Sequence, residues 1–346
     1  MPAAGRDYPG FYAELLDWFP DDASCLDYLE WLRWPEGMRC PRCAHREGWR
    51  LGGGRWECAR CGRQASASAA TIFHRTRTPL RLWFAAGWMM TSQKHGVSAL
   101  GVQRALGLGC YQTAWTMLHR YRCAMVRPGR ERLSGHVEVD EAYVGGVEER
   151  VNGRQTETKA IVAIAVEISH PRWFGRIRLA SVPDVTKESL LPFVDGAIEP
   201  GATVHTDGWQ AYLTLPERGY EHERTVMSKQ SDPAHVVMPG VHRVASLVQR
   251  WLLGTHQAAV SREHLDAYLN EFTFRFNRRR GLLFYRLLEQ AVVAEPITYR
   301  SLIVNPKPTG RRPSRASRPG RVATAEAARR PWRQIPANTG LPDSNR

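Results

Sequence analysis

The 346-residue sequence predicts a multidomain α+β chain. Three observations predict it: two close cysteine pairs near the start, a series of apolar helix-like segments after them, and β-rich runs mixed with helical stretches in the middle. A chain of this length holds two or three domains with separate cores. The expected divisions are 1–75 around the cysteines, 76–130 for a helical unit, 131–303 for a mixed α/β domain and 304–346 for a basic tail.

Composition narrows the function classes. The apolar uncharged stretch over 82–93 is twelve residues long, against roughly 20 for a bilayer span. The first residues carry Asp7 and Glu14 and lack a basic-then-apolar export pattern, so a cytoplasmic protein without a membrane partner is expected. Forty-eight Lys and Arg against 34 acids give a net charge of +14 and a pI near 9.8. Such a balance attracts polyanions, nucleic acid foremost, although by itself it fits ribosomal, membrane-surface and DNA-binding proteins equally. The excess is uneven: residues 305–346 hold ten basic residues, two acids and seven prolines. With almost no branched apolar residues, that tail is expected to be disordered and to add counterion-release affinity for DNA.

The N-terminal element comes first. Residues 39–62 read RCPRCAHREGWRLGGGRWECARCG, with Cys40 and Cys43 in one C-x-x-C and Cys58 and Cys61 in the other, 14 residues apart. Four soft thiolates at this spacing suit a tetrahedral, closed, structural Zn²⁺. Gly62 and the LGGGRW segment allow the tight turns of a zinc ribbon, and His45 reads as a loop residue. Cys25, Cys110 and Cys123 lack partners by spacing and are expected as small core residues.

Helices flank the ribbon. Residues 24–37 open on Ser24 as a cap, repeat Leu26, Leu29 and Leu32, and stop at Pro35. Residues 78–94 begin with Thr78 and Pro79 and run apolar. Two helices over 98–106 and 110–125, joined by GLG, have the outline of a helix-turn-helix. Gln112, Thr113, Thr116, His119 and Arg120 are the polar positions of the second. An ordinary helical hairpin has the same outline, and the sequence does not separate the two.

Three β-rich runs follow at 136–146, 158–169 and 175–185, then a helix at 187–201, a strand running into a helix over 202–215, a strand at 220–227 and a helix at 241–253. This order is that of a ribonuclease H-like domain, in which the first and fourth strands are neighbours. Asp140, in HVEVDEAYVGG, and Asp207, in VHTDGWQAY, would then meet although 67 positions separate them. Carboxylates held close need a counter-charge. Two Mg²⁺ or Mn²⁺ ions would supply it and suit phosphodiester chemistry. Glu141 would point to the opposite strand face and is excluded as a direct ligand.

The blocks RWPEGMRCPRC, VEVDEAYVGG, VHTDGWQAY, WLLGTHQAAVSREHLDAYLNEFTFRFNRR and GLLFYRLLEQAV, in this order, resemble bacterial insertion-sequence transposases of the DDE type with an N-terminal zinc ribbon, the ISXO-like group. The resemblance covers about residues 10–303. It implies a retroviral-integrase-like catalytic domain acting on element ends and target DNA, working as a dimer or larger oligomer on double-stranded DNA. Asp140 and Asp207 would be the first two catalytic residues. The third place, 35 positions after Asp207, holds His242 where the family usually has Glu; Glu271 is the alternative acid, which also stands four residues before Arg275 as a pairing partner. Arg250, Arg275, Arg278, Arg279 and Arg280, with His256 and His264, are the expected phosphate contacts of the later helices. Two departures stand out: Gln249 occupies a place where the family usually has Lys, and 277–285 is shortened. Both favour a decayed or domesticated copy that binds DNA without cutting as the alternative function.

Overall fold

The computed structural model describes residues 2–127, 129–145, 159–170, 173–226, 234–257, 260–279 and 281–304. The basic tail from 305 onward and Arg280 lie outside the described residues. Helices α1 (Tyr12–Trp18) and α2 (Asp22–Arg33) come first. The cap of α2 is Asp21 rather than the expected Ser24: its carboxylate accepts the Ser24 N–H at 2.8 Å, because a carboxylate at the N-terminus also meets the positive end of the helix dipole.

A small antiparallel sheet follows, β1 (Gly48–Leu51), β2 (Arg55–Cys58) and β3 (Gln64–Ser66). It leads into α3 (Leu80–Ser92), α4 (Ala99–Leu106) and α5 (Tyr111–Ala124). The Ser98 side chain caps α4, and Gly107 ends it in the left-handed conformation at φ 62°, which glycine adopts without a Cβ penalty. Residues of α1, α2, α3, α4 and α5 share one core with Phe284, Tyr285, Leu287 and Leu288 of α10 (Leu283–Ala291). Residues on both sides of the divisions expected at 75/76 and 130/131 thus pack together. Cys25 is buried there, but Cys110 is exposed, its sulfur 3.1 Å from Thr113 Oγ1; a cysteine leading into a helix faces solvent with the helix end.

The central sheet contains β4 (His136–Val144), β5 (Ala160–His170), β6 (Trp173–Val182), β7 (Thr203–Asp207) and β8 (Glu221–Thr225). Its order is β6-β5-β4-β7-β8. The first three strands in sequence pair antiparallel, while β4–β7 and β7–β8 are parallel. Helix α6 (Lys187–Ala197) makes the crossover from β6 to β7 and covers one face with Val137, Val139 and Val204 beneath it. After α7 (Ala234–Val237), the helices α8 (Pro239–His256) and α9 (Leu265–Asn277) cover the other face over Ala142, Val162 and Ile164. A last short helix, α11, spans Tyr299–Val304. Among the described residues, no helix is long and apolar enough to cross a membrane.

Candidate active site

The ribbon gathers its four thiols as the spacing predicts. Cys40 and Cys61 sulfurs are 3.6 Å apart, and Cys43 lies 3.5 Å from both Cys58 and Cys61. Zn–S bonds of about 2.3 Å demand sulfur separations near this scale. Each knuckle turns through a left-handed residue, Gly62 at φ 63° and, unexpectedly, Ala44 at φ 59°. Burial raises the Cys40 thiol, but the N–H groups of Cys43 and Arg42 and the neighbouring thiols outweigh it and bring it down to about 6. At Cys43 the His45 N–H is outweighed by burial and the neighbouring thiols, which push it up to about 12, so crowded sulfurs hold one another back from ionising together without a cation.

The carboxylates lie midway along β4 and at the end of β7. The parallel register pairs Val137 with Val204, Glu138 with His205 and Val139 with Thr206. One step further along both strands stand Asp140 and Asp207, side by side and on one face, since neighbouring strands run about 4.8 Å apart and paired residues share a face. Asp140 accepts the Glu141 N–H at 2.8 Å, and Asp207 accepts the Trp209 N–H at 2.9 Å. Glu141 points to the opposite face, where the buried Tyr212 hydroxyl donates to its carboxylate. Burial first, then Glu141, Asp140 and Asp207, push the Tyr212 hydroxyl well above its ordinary range, so Tyr212 stays a donor. Tyr212 thus feels all three carboxylates from beneath the end of the sheet.

An open cleft of about 510 Å³ borders Asp140, with His242, Ser246 and Gln249 of α8 on its other wall. Gln249 Nε2 donates to Tyr143 O at 3.1 Å. Sequence reasoning missed the residue that docks this wall. Glu138, two before Asp140 on the same face, is 3% exposed and accepts the Val241 N–H at 2.9 Å, so it anchors the first turn of α8 and with it His242. Burial raises its carboxyl, partly offset by the Val241 and Gly240 N–H groups. A Cβ on Gly240 would stand 2.7 Å from the Ile168 side chain and 2.9 Å from the Glu138 carboxylate, so a larger residue would have to displace them. The signal was present in the sequence as a second acid on the Asp140 face of the same strand.

Glu271 lies elsewhere. It is fully buried, receives Arg122 Nε of α5 at 2.9 Å, and has Arg275 at 3.7 Å. The Arg122 guanidinium also lies 3.9 Å over the Tyr268 ring. This bridge ties the helical core to α9, and Glu271 does not line the cleft. Several arginines expected at phosphate also serve the chain itself. Arg275 donates to the Gln93 and Lys94 carbonyls, Arg279 to Phe174 and Phe276, and Arg120 to Ile72. Arg278 stacks 4.3 Å over Phe274. Their alternation with aromatic residues produces stacking onto their own helix. Arg250 is exposed on α8. His119 and His256 are buried beside Tyr268 rather than offered to a ligand, and the His264 ring stands 5.0 Å from that of Trp115. Burial, then Arg122 and Arg275, lower His256 to about 3. Gln112, Thr113, Thr116 and Arg120 do share a shallow groove with Arg75 and Arg77.

Residues 132–277 match the ISXO2-like transposase domain, and residues 20–64 match the transposase zinc-ribbon domain. The chain is therefore a transposase with a mixed α/β DDE domain behind an N-terminal zinc ribbon. It belongs to the ISXO2-like family of insertion-sequence transposases. An uncharacterized protein in transposable element ISH50 of Halobacterium salinarum is 25% identical over 280 residues, 74% of this chain and 91% of that protein. An uncharacterized transposase-like protein of Haemophilus influenzae is 27% identical over 111 residues, 32% of this chain and 89% of the other. A chain in the simian T-cell lymphotropic virus intasome, in complex with PP2A regulatory subunit B56 gamma, matches at 13% identity and a TM-score of 0.28, covering 54% of this chain and 67% of that one.

Proposed function

We propose that this transposase cuts DNA strands at the ends of its element and joins the freed 3′-OH to target DNA, using two magnesium or manganese ions at Asp140 and Asp207. The observation that carries the reading is the β4–β7 register, which aligns the two aspartates on one face, with Asp140 lining an open cleft. The sheet order, three antiparallel strands with two parallel strands added beside the first, supports a ribonuclease H-like, retroviral-integrase-like domain.

The donor set fits hard divalent cations, since carboxylate oxygens are what magnesium takes. Bound there, the ions would activate the attacking oxygen and stabilise the leaving one. The chain supplies rigidity: one oxygen of each aspartate is held by a backbone N–H, and Asp140 stands on a strand packed between the α6 and α8 cores, with Asp207 on a strand packed in the α6 core. His242, aimed by the Glu138 anchor, completes the set or holds the attacking water. DNA would enter along the cleft past Arg250. The α4–α5 pair would act as the helix-turn-helix, with Gln112, Thr113, Thr116 and Arg120 toward the duplex and Arg75 and Arg77 beside them. Two element ends require at least two copies on DNA.

A second reading, DNA binding without cleavage, is favoured by Gln249, whose amide is tied to Tyr143 O instead of offering a cation. Strand nicking on DNA carrying the inverted-repeat ends, with Mg²⁺ or Mn²⁺, separates them. Cleavage leaving a 3′-OH is expected from the wild type and only background from Asp140→Asn and Asp207→Asn, with gel-shift binding retained. Binding without nicking by the wild type selects the second reading, and equal nicking by Asp140→Asn removes the metal-site assignment.

A further inference from the structure

On the same sheet face as the aspartates, earlier along the strands, His136 of β4, His205 of β7 and Glu223 of β8 converge. One ligand atom from each lies within 4.8 Å of the others. His136 Nε2 is 3.1 Å from Glu223 Oε2, and the two imidazole centroids are 5.8 Å apart. Tetrahedral zinc with Zn–N and Zn–O bonds of about 2.0–2.2 Å spaces neighbouring ligand atoms by about 3.3–3.6 Å. The His136–Glu223 separation is already close to that spacing. Thr225 Oγ1 lies 2.8 Å from His205 Nε2 and fixes that ring, the kind of outer hydrogen bond that orients a ligating imidazole.

We propose that His136, His205 and Glu223 form a further cation site, selective for a borderline divalent ion of the zinc class, that clips β4, β7 and β8 together. Two imidazoles with one carboxylate suit zinc better than magnesium, which favours all-oxygen surroundings. An ion pair would need only His136 and Glu223; the third ligand, on the strand between them, makes a cation site of it. The clip also explains what secures the edge strand: among the described residues, β8 contributes no side chain to any apolar core. Because His205 precedes Asp207 by two residues and His136 precedes Asp140 by four, the clip would fix the register on which the aspartates depend.

The site is independent of the proposed reaction and is read by metal content. Full-length protein dialysed against micromolar zinc is expected to retain two zinc ions per chain, one in the ribbon. Glu223→Ala and His136→Ala, at solvent-accessible positions, should each retain one, and zinc should raise the Tm of the wild type above that of either variant. Cobalt substitution should add a ligand-field spectrum without sulfur charge transfer that both variants lose. A single zinc in the wild type, or two in both variants, overturns the site, whatever the nicking assay gives.

Discussion

The ribbon collects its four ligands within 22 residues, whereas Asp140 and Asp207 stand 67 positions apart and meet only through a sheet. Around the cysteines the apolar cluster is Met38, Cys40 and Cys58. Asp140 sits on a strand packed against apolar cores on both faces, and Asp207 on a neighbouring strand packed against one of them. A bound metal would therefore carry much of the ribbon's fold, beside the ties to α2: Arg50 with Asp27 and Glu30, and Arg33 donating to the Ser66, Ala67 and Ala69 carbonyls. At the cleft the fold makes the ligand geometry, and like charges are held together by strands fixed for other reasons.

The largest effect should come from breaking the first half of this contrast. Cys58→Ser, or a strong chelator, should unfold the ribbon outright and leave the central sheet cooperative, seen as protease cleavage confined to residues near 38–75. Simultaneous loss of the sheet would merge the two regions into one unit. Next comes the bridge joining the helical core to α9. Arg122→Met leaves Glu271 buried without its closest partner and should cost about 3–5 kcal/mol in urea unfolding. Arg122→Met with Glu271→Leu should recover much of that loss, and no recovery would show that the bridge does more than satisfy buried charge. Gly240→Ala should cost about 1–3 kcal/mol through overpacking against Glu138 and Ile168. It should reduce nicking more than DNA binding, because it displaces α8 from the aspartates. Unchanged nicking would separate α8 from the site.

The helical core can also be probed through its pH response. His256 titrates near 6.5 when unfolded and about 3 when folded. Its neutral form is favoured by the fold, so its contribution is full above about 6.5 and is lost as pH falls toward 3. His256→Asn should flatten stability across that window; an identical slope would assign the acid sensitivity to other groups.

The contrast also explains what the sequence disclosed. Ligands carried by one hairpin are readable as spacing, so the four cysteines were legible directly. The adjacency of Asp140 and Asp207 was legible because strand order implies it, whereas His242 was proposed from its place in a family pattern and lines the cleft with Asp140. Glu138 was not, since its work depends on which helix end arrives above it from 103 positions away. The arginines in and just after α9 show a related ambiguity: a basic helix face looks the same in sequence whether its donors meet phosphate or, like those of Arg275 and Arg279, the chain's own carbonyls.

Manganese binding followed by electron paramagnetic resonance tests the central pairing most directly, performed in a Glu223→Ala background so that the neighbouring histidines do not contribute. Micromolar-to-millimolar binding is expected with both aspartates present, and each of Asp140→Asn and Asp207→Asn alone should abolish it while leaving the thermal unfolding of the sheet intact. Binding that survives either single substitution unchanged would contradict a jointly held cation.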